Sequence, residues 1–131
     1  MIHVDAQQIQ QVLLNLVVNA LQSMPDGGKL ELEIRRDFEL SIGPELVFSV
    51  SDTGVGIPSE HLEAIFEPFF TTKKRGSGLG LALAHTLVTQ NHGSIRVEST
   101  PNQKTTFFIS FPIYREDPDK PSEVSVEAEI G

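Results

Sequence analysis

The first twenty residues after Val4 restrict the possible folds more than any other part of the chain. Asp5 to Met24 reads as one helix, with Asp5 as its N-cap and Pro25-Asp26-Gly27-Gly28 as an abrupt stop. At 100° per residue, Gln8, Gln11, Asn15, Asn19 and Gln22 fall within about an 80° sector. Ile9, Val12, Leu13, Leu14, Leu16, Val17, Val18, Ala20 and Leu21 cover the rest. The expectation is a buried helix with one stripe of neutral amides, and buried amides need partners. Two readings stay open: the amides bond neighbouring backbone or face water, or they line a wet pocket. Asn15 and Asn19, at i and i+4, stand roughly 5–6 Å apart on one face. An amide oxygen is a hard, uncharged ligand suited to a magnesium ion that already bridges phosphates.

The rest of the chain supplies strands. Lys29 to Phe38 alternates, with Leu30, Leu32 and Ile34 on one side and Glu31, Glu33 and Arg35 on the other. Leu46, Phe48 and Val50 repeat that period after a Gly43-Pro44 turn, so two strands pair antiparallel. Asp52 to Pro58 is a glycine-containing loop, Glu60 to Phe66 a short helix, and Phe69 to Gly80 an irregular stretch. Leu81 to Asn91 is helical again. Ser94 to Ser99 and Thr106 to Phe111 are two more strands, joined by a turn at Pro101-Asn102-Gln103. This order implies an α+β fold: a two-layer α/β sandwich whose mixed, mostly antiparallel sheet packs on helices.

A chain of 131 residues, 39% hydrophobic, suits one compact domain, able to bury roughly two thirds of its unfolded surface. Residues 1–114 are expected to form that domain. Residues 115–131 carry six acids against Arg115 and Lys120, with two prolines and no aromatics, and are expected to be a disordered acidic tail. The net charge of −8 argues against a nucleic-acid backbone as partner, so any phosphate must be held locally. Without cysteine there is no disulfide framework. No apolar run approaches the roughly 18 residues that cross a bilayer, and Met1 to Asp5 lacks a signal-peptide pattern. A cytoplasmic chain with no direct membrane contact is the expectation.

Two glycine loops carry the chemistry. Asp52-Thr53-Gly54-Val55-Gly56 follows an apolar strand and sets an acid beside two residues without Cβ, where a ligand's flat surface could approach. Ionised Asp52 only accepts hydrogen bonds; in a nucleotide its partner is the exocyclic amine of adenine, a donor guanine lacks at that position. An ordinary turn is the competing reading. Gly76-Ser77-Gly78-Leu79-Gly80 precedes the second long helix, whose N-terminus would reinforce an anion site. Lys73, Lys74 and Arg75 stand before it, able to neutralise a polyphosphate or to form a solvated loop. The stretch is neither a Walker A loop nor a dinucleotide fingerprint.

In this order and spacing, the elements resemble the catalytic and ATP-binding domain of sensor histidine kinases. That domain belongs to the wider gyrase, Hsp90, histidine kinase and MutL superfamily with the Bergerat fold. Gln11-Val-Leu-Leu-Asn15-Leu-Val-Val-Asn19-Ala20 resembles the N box and Asp52-Thr-Gly-Val-Gly56-Ile57-Pro58 the G1 box. Phe66-Glu-Pro-Phe69-Phe70 resembles the F box and Gly76-Ser77-Gly78-Leu79-Gly80-Leu81 the G2 box. The resemblance covers residues 2 to about 113. It implies that Asn19 coordinates magnesium, that Asn15 and Lys73 hold the phosphates and serve catalysis, and that Asp52, Gly54, Gly56 and Ile57 meet the base. It makes Phe66 to Gly80 an ATP lid, with Phe70, Thr72 and the G2 residues through Leu81 also at the nucleotide. Thr105 resembles a threonine that approaches the adenine edge. The short lid and the Phe70-Thr71-Thr72-Lys73 run look most like the nitrogen-regulation branch.

Some positions depart from the pattern. Asn91-His92-Gly93 stands where H-G-G is common, and Lys104 replaces a glycine before Thr105. The chain begins at the N-box helix, where family members have preceding strands, so Ile2 to Val4 is expected to be the remnant of one.

Hydrolytic superfamily members carry a glutamate on the first helix to activate water, a role worth roughly 10²–10⁴ in rate. Here Asn15 stands in its place, and an amide takes no proton, which favours a kinase over an ATPase. Phosphoryl transfer also needs an acceptor in line with the γ-phosphate. His3, His61, His85 and His92 do not resemble an H-E-x-x-x-P acceptor. The expectation is an ATP- and Mg²⁺-dependent histidine kinase domain of a two-component phosphorelay. Its acceptor histidine sits on a separate dimerisation domain, in cis or in trans, and a response-regulator aspartate is the final recipient. The alternatives are an anti-sigma-type serine kinase, an Hsp90- or MutL-like ATPase, and a non-catalytic ATP-binding module.

Overall fold

The computed structural model describes residues 4–37, 44–68 and 79–113. Helix α1 (Ala6–Gln22) starts where its cap predicts: the Asp5 carboxylate accepts from the Gln8 backbone N–H at 3.1 Å. That bond satisfies one of the donors a helix N-terminus leaves unpaired. Strands β1 (Leu30–Asp37), β2 (Glu45–Asp52), β3 (Ser94–Thr100) and β4 (Lys104–Pro112) form one sheet in the order β1-β2-β4-β3. All three pairings are antiparallel, the predominant sense expected. Helix α2 (Gly80–Gln90) lies beside α1, and the two pack on one face of the sheet, α1 toward β2 and α2 toward β3.

The core lies between these layers. Val12, Leu16 and Ala20 from α1 and Ala84 and Val88 from α2 meet Leu46, Phe48, Val50, Phe107, Ile109 and Phe111 from the sheet. Each large side chain buried there contributes roughly 1.5–3 kcal/mol by leaving water. The register sets Asp52 opposite Thr105, and Thr105 opposite Ser99, so three polar residues stand in a row where the strands end.

Two sequence expectations need correction. First, α1 is not buried all round: Leu14, Val18 and Leu21 are 56%, 42% and 55% exposed, because the sheet and α2 cover only two of its sides. The alternation of β1 holds: Leu30, Leu32 and Ile34 share the helix-side face, and Leu32 and Ile34 are 41% and 45% exposed there because the described helices pack over the rest of the sheet. Second, the segment after Pro58 is not a regular α-helix. Ser59–His61 is a 3-10 turn, and the His61 carbonyl then accepts from both Ala64 N (2.9 Å) and Ile65 N (3.2 Å). With prolines at 58 and 68, the segment is too short to repay helix nucleation, and tight turns carry it instead. The expected 115–131 tail, Ile2 and His3 lie outside the described residues, as does part of the turn before β2.

The departure at 91–93 has a structural account. Asn91 is buried, its Oδ1 accepting from Asp5 N at 2.7 Å and its Nδ2 donating to Gln8 Oε1 at 2.8 Å and Leu87 O at 2.7 Å. It therefore ties the end of α2 to the start of α1. His92 follows at φ 64°, a left-handed conformation that a glycine adopts without steric cost. Replacing His92 with glycine should stabilise the fold by about 0.5–1 kcal/mol. The gain would be read as a higher urea midpoint at unchanged m.

Candidate functional site

The site grows from the C-terminal end of α1. Ser23 closes that helix, its N–H bonding the carbonyls of Asn19 and Ala20, both at 3.1 Å. Its Oγ lies 2.8 Å from Ala20 O and 2.9 Å from Asp52 Oδ1. Asp52, only 2% exposed, ends β2 and takes a second bond on the same oxygen from Gly54 N at 2.9 Å. A carboxylate has lone pairs on both oxygens, and Oδ2 keeps its acceptor capacity among the described residues.

The loop after Asp52 is clamped on three sides. Val55 N donates to Ser23 O at 3.0 Å, and the Val55 carbonyl accepts from Asn102 N at 3.0 Å. Ile57 N donates to Ser99 Oγ at 2.8 Å, and that hydroxyl lies 2.8 Å from Thr105 Oγ1. Thr53 bonds the backbone of Lys29 through both its hydroxyl, at 2.9 Å, and its N–H, at 3.2 Å. Lys29 in turn makes a 2.8 Å ion pair with Glu31. The hydrogen bond with Glu31 and the attraction of its charge raise the pKa of this exposed lysine, and the same pair lowers that of Glu31.

These contacts explain the two glycines differently from the sequence reading. A Cβ on Gly54 would sit 2.2 Å from the Ser23 carbonyl oxygen, and one on Gly56, where φ is +81°, would sit 2.7 Å from Pro101 Cα. The close approach is made by the chain's own backbone. Glycine is required so that the loop can lie against α1 and the β3–β4 turn.

Within the amide stripe, Gln8, Gln11 and Asn15 bond to neighbouring parts of the fold. Gln8 serves structure, through Asn91. Gln11 Nε2 donates to Asn15 Oδ1 at 2.7 Å, and Asn15 Nδ2 donates to Gly80 O at 3.1 Å, which links the stripe to the first turn of α2. That turn has no side-chain cap on its N-terminal N–H groups. Asn15, Asn19 and Ser23, spaced by four, thus run along α1 from Gly80 to Asp52, over roughly 12 Å of helix.

Of the residues singled out from sequence, Asn15, Asn19, Asp52, Gly54, Gly56 and Gly80 lie along this line or in the loop beside it, and Thr105 on β4 pairs with Asp52. Ile57, Phe66 and Leu81 pack against the core. The Phe66 ring rests on Phe107 (centroids 6.2 Å apart, edge-on) and on His85 (5.5 Å). Leu79 is half exposed just before α2. Phe70, Thr72, Lys73, Gly76, Ser77 and Gly78 lie outside the described residues. Sequence reading missed Ser23 and Ser99. Ser23 had a signal, since it continues the Asn15–Asn19 spacing by one step; Ser99 faces Thr105 only through strand register, which no local pattern reveals. Among the described residues no group of three or more His, Asp or Glu side chains could hold a metal. No described helix is long and apolar enough to cross a membrane.

Comparison with known proteins gives concordant matches. The family model described as "Histidine kinase-, DNA gyrase B-, and HSP90-like ATPase" matches residues 4–115. Sporulation kinase A of Bacillus subtilis (strain 168) is 44% identical over 108 residues, which are 82% of this chain and 17% of that protein. The nucleotide-free catalytic domain of histidine kinase ThkA superposes with a TM-score of 0.72 at 34% identity, covering 85% of this chain and 70% of the other. Full-length ShkA in complex with AMPPNP gives 0.67 at 30% identity, covering 80% and 21%.

Proposed function

The chain belongs to the histidine kinase-, DNA gyrase B- and HSP90-like ATPase family and is a catalytic domain of the sensor histidine kinase type; from that premise we propose how it works. It binds Mg-ATP along α1, with adenine at Asp52 and the phosphates toward Asn15 and the start of α2. It then passes the γ-phosphate to a histidine on a dimerisation domain, in cis or in trans, for relay to a response-regulator aspartate in the cytoplasm. The carrying observation is the line Gly80–Asn15–Asn19–Ser23–Asp52, which sets an anion-attracting helix start at one end and a buried carboxylate at the other. ShkA, similar over most of this chain, was seen with AMPPNP, an ATP analogue.

In this reading Asp52 accepts from the adenine amine while the buried Thr105 hydroxyl, braced by Ser99, lines the base. Asn19, half-buried on the stripe, would hold magnesium through its hard, uncharged amide oxygen. Magnesium would neutralise the phosphate charge. Asn15 orients the phosphate end and takes no proton from water, so ATP waits for another nucleophile. An imidazole nitrogen then bonds the γ-phosphorus as the bridging P–O bond breaks and ADP leaves, a step governed by positioning and charge. Lys73 supplies positive charge to the phosphates, and the Phe70-Thr71-Thr72-Lys73 run supports the nitrogen-regulation branch.

Calorimetric titration with ATP and ADP, with and without magnesium and against GTP, tests the reading. Adenine-selective, magnesium-strengthened binding is expected; absence of binding would refute it. Asn19→Ala should remove the magnesium dependence while leaving the melting transition in place, and an unchanged affinity would sink the metal role.

A further inference from the structure

An aspartate reads a base only if its carboxylate plane is fixed, and its own terminal torsion does not fix it, because that torsion is broad and roughly two-fold. For Asp52 the plane is set from outside. Gly54 N–H holds Oδ1 at 2.9 Å, a bond made two residues along the same stretch of chain. Ser23 belongs to α1, and its Oγ holds the same oxygen at 2.9 Å. We propose that Ser23 is a positioning residue for base recognition: its hydroxyl ties Oδ1 of Asp52 to α1, so that Oδ2 faces the amine of the incoming adenine.

This rests on the ATP-binding reading and refines its selectivity. The Ser23 hydroxyl has one proton and two acceptors, Ala20 O at 2.8 Å and the carboxylate. The charged acceptor makes the stronger bond, so the proton goes to Asp52. The backbone of Ser23 is itself immobilised, by its bonds to Asn19 and Ala20 on one side and to Val55 on the other. The hydroxyl therefore has no slack to follow a carboxylate that rotates.

The test compares Mg-ATP with purine riboside triphosphate, which lacks the exocyclic amine, on the full chain. In wild type ATP should bind more tightly. Ser23→Ala should weaken ATP about tenfold while leaving the analogue unchanged, so that the preference falls by the same factor. Ser23→Thr, which keeps the hydroxyl, should recover the wild-type ratio even if its methyl group shifts both affinities together. A Ser23→Ala protein with an intact melting transition and an unchanged ratio overturns the role of Ser23 and leaves the nucleotide site standing. A ratio that Ser23→Thr fails to restore also overturns it. A wild-type chain that binds neither ligand overturns the nucleotide reading, and this inference with it.

Discussion

An Asp52→Asn chain should fold normally and bind ATP roughly a hundredfold more weakly, a loss of about 2.7 kcal/mol. The substitution keeps the volume of a side chain that is 2% exposed, so the core has no cavity to absorb. What changes is the sense of one hydrogen bond. With the amide oxygen in the place of Oδ1, it still accepts from Ser23 Oγ and Gly54 N, but the amide nitrogen then faces the adenine amine, donor against donor. Flipping the amide returns an acceptor to the base and sets the new N–H₂ against the Gly54 N–H, leaving a donor unmet inside the loop. Both orientations cost, which is why the isosteric change should be severe for binding and mild for folding. GTP, which has no amine at that position, should be affected far less. Calorimetry with both nucleotides, beside a urea melt, separates the outcomes. A tenfold or smaller loss for ATP would remove Asp52 from base recognition.

Much of this site is legible in the sequence because its parts are local. The i, i+4 spacing of Asn15 and Asn19 needs only helical periodicity, and Asp52 needs only a strand that ends in an acid before a turn. The two glycines were visible too, but their reason was not. Gly54 is demanded by the Ser23 carbonyl, 31 positions earlier in the chain, a contact that exists only once α1 packs on β2. The same limit hid Ser99 and the Asn91 tie to Asp5 and Gln8. The apolar residues of α1 and β1 show a further limit. Their periodicity is correct, yet Leu14, Leu21 and Ile34 stay exposed, because a hydrophobic pattern says which face could be covered and not what lies over it.

Phe107→Ala should cost about 3–5 kcal/mol, the range for truncating a buried aromatic. Phe107 is 1% exposed on β4, paired with Val50 on one side and Val97 on the other, with the Phe66 ring edge-on above it. Nothing beside it can collapse cheaply into the space, since both neighbouring strands are held by full ladders. Domains of this size have only roughly 5–15 kcal/mol in hand, so the variant should lie close to its unfolding transition, with a sharply lower urea midpoint and little change in m. Phe107→Leu, which refills most of the volume, should cost no more than about 1.5 kcal/mol. The two variants also separate packing from function. Thr105 lies two residues away on the same face, and Phe66 leads into the chain before α2, so the alanine protein should lose nucleotide affinity even under conditions where it stays folded. If it loses stability alone and binds ATP as wild type does, the core and the site are uncoupled, and Phe66 does not hold the region around the nucleotide in place.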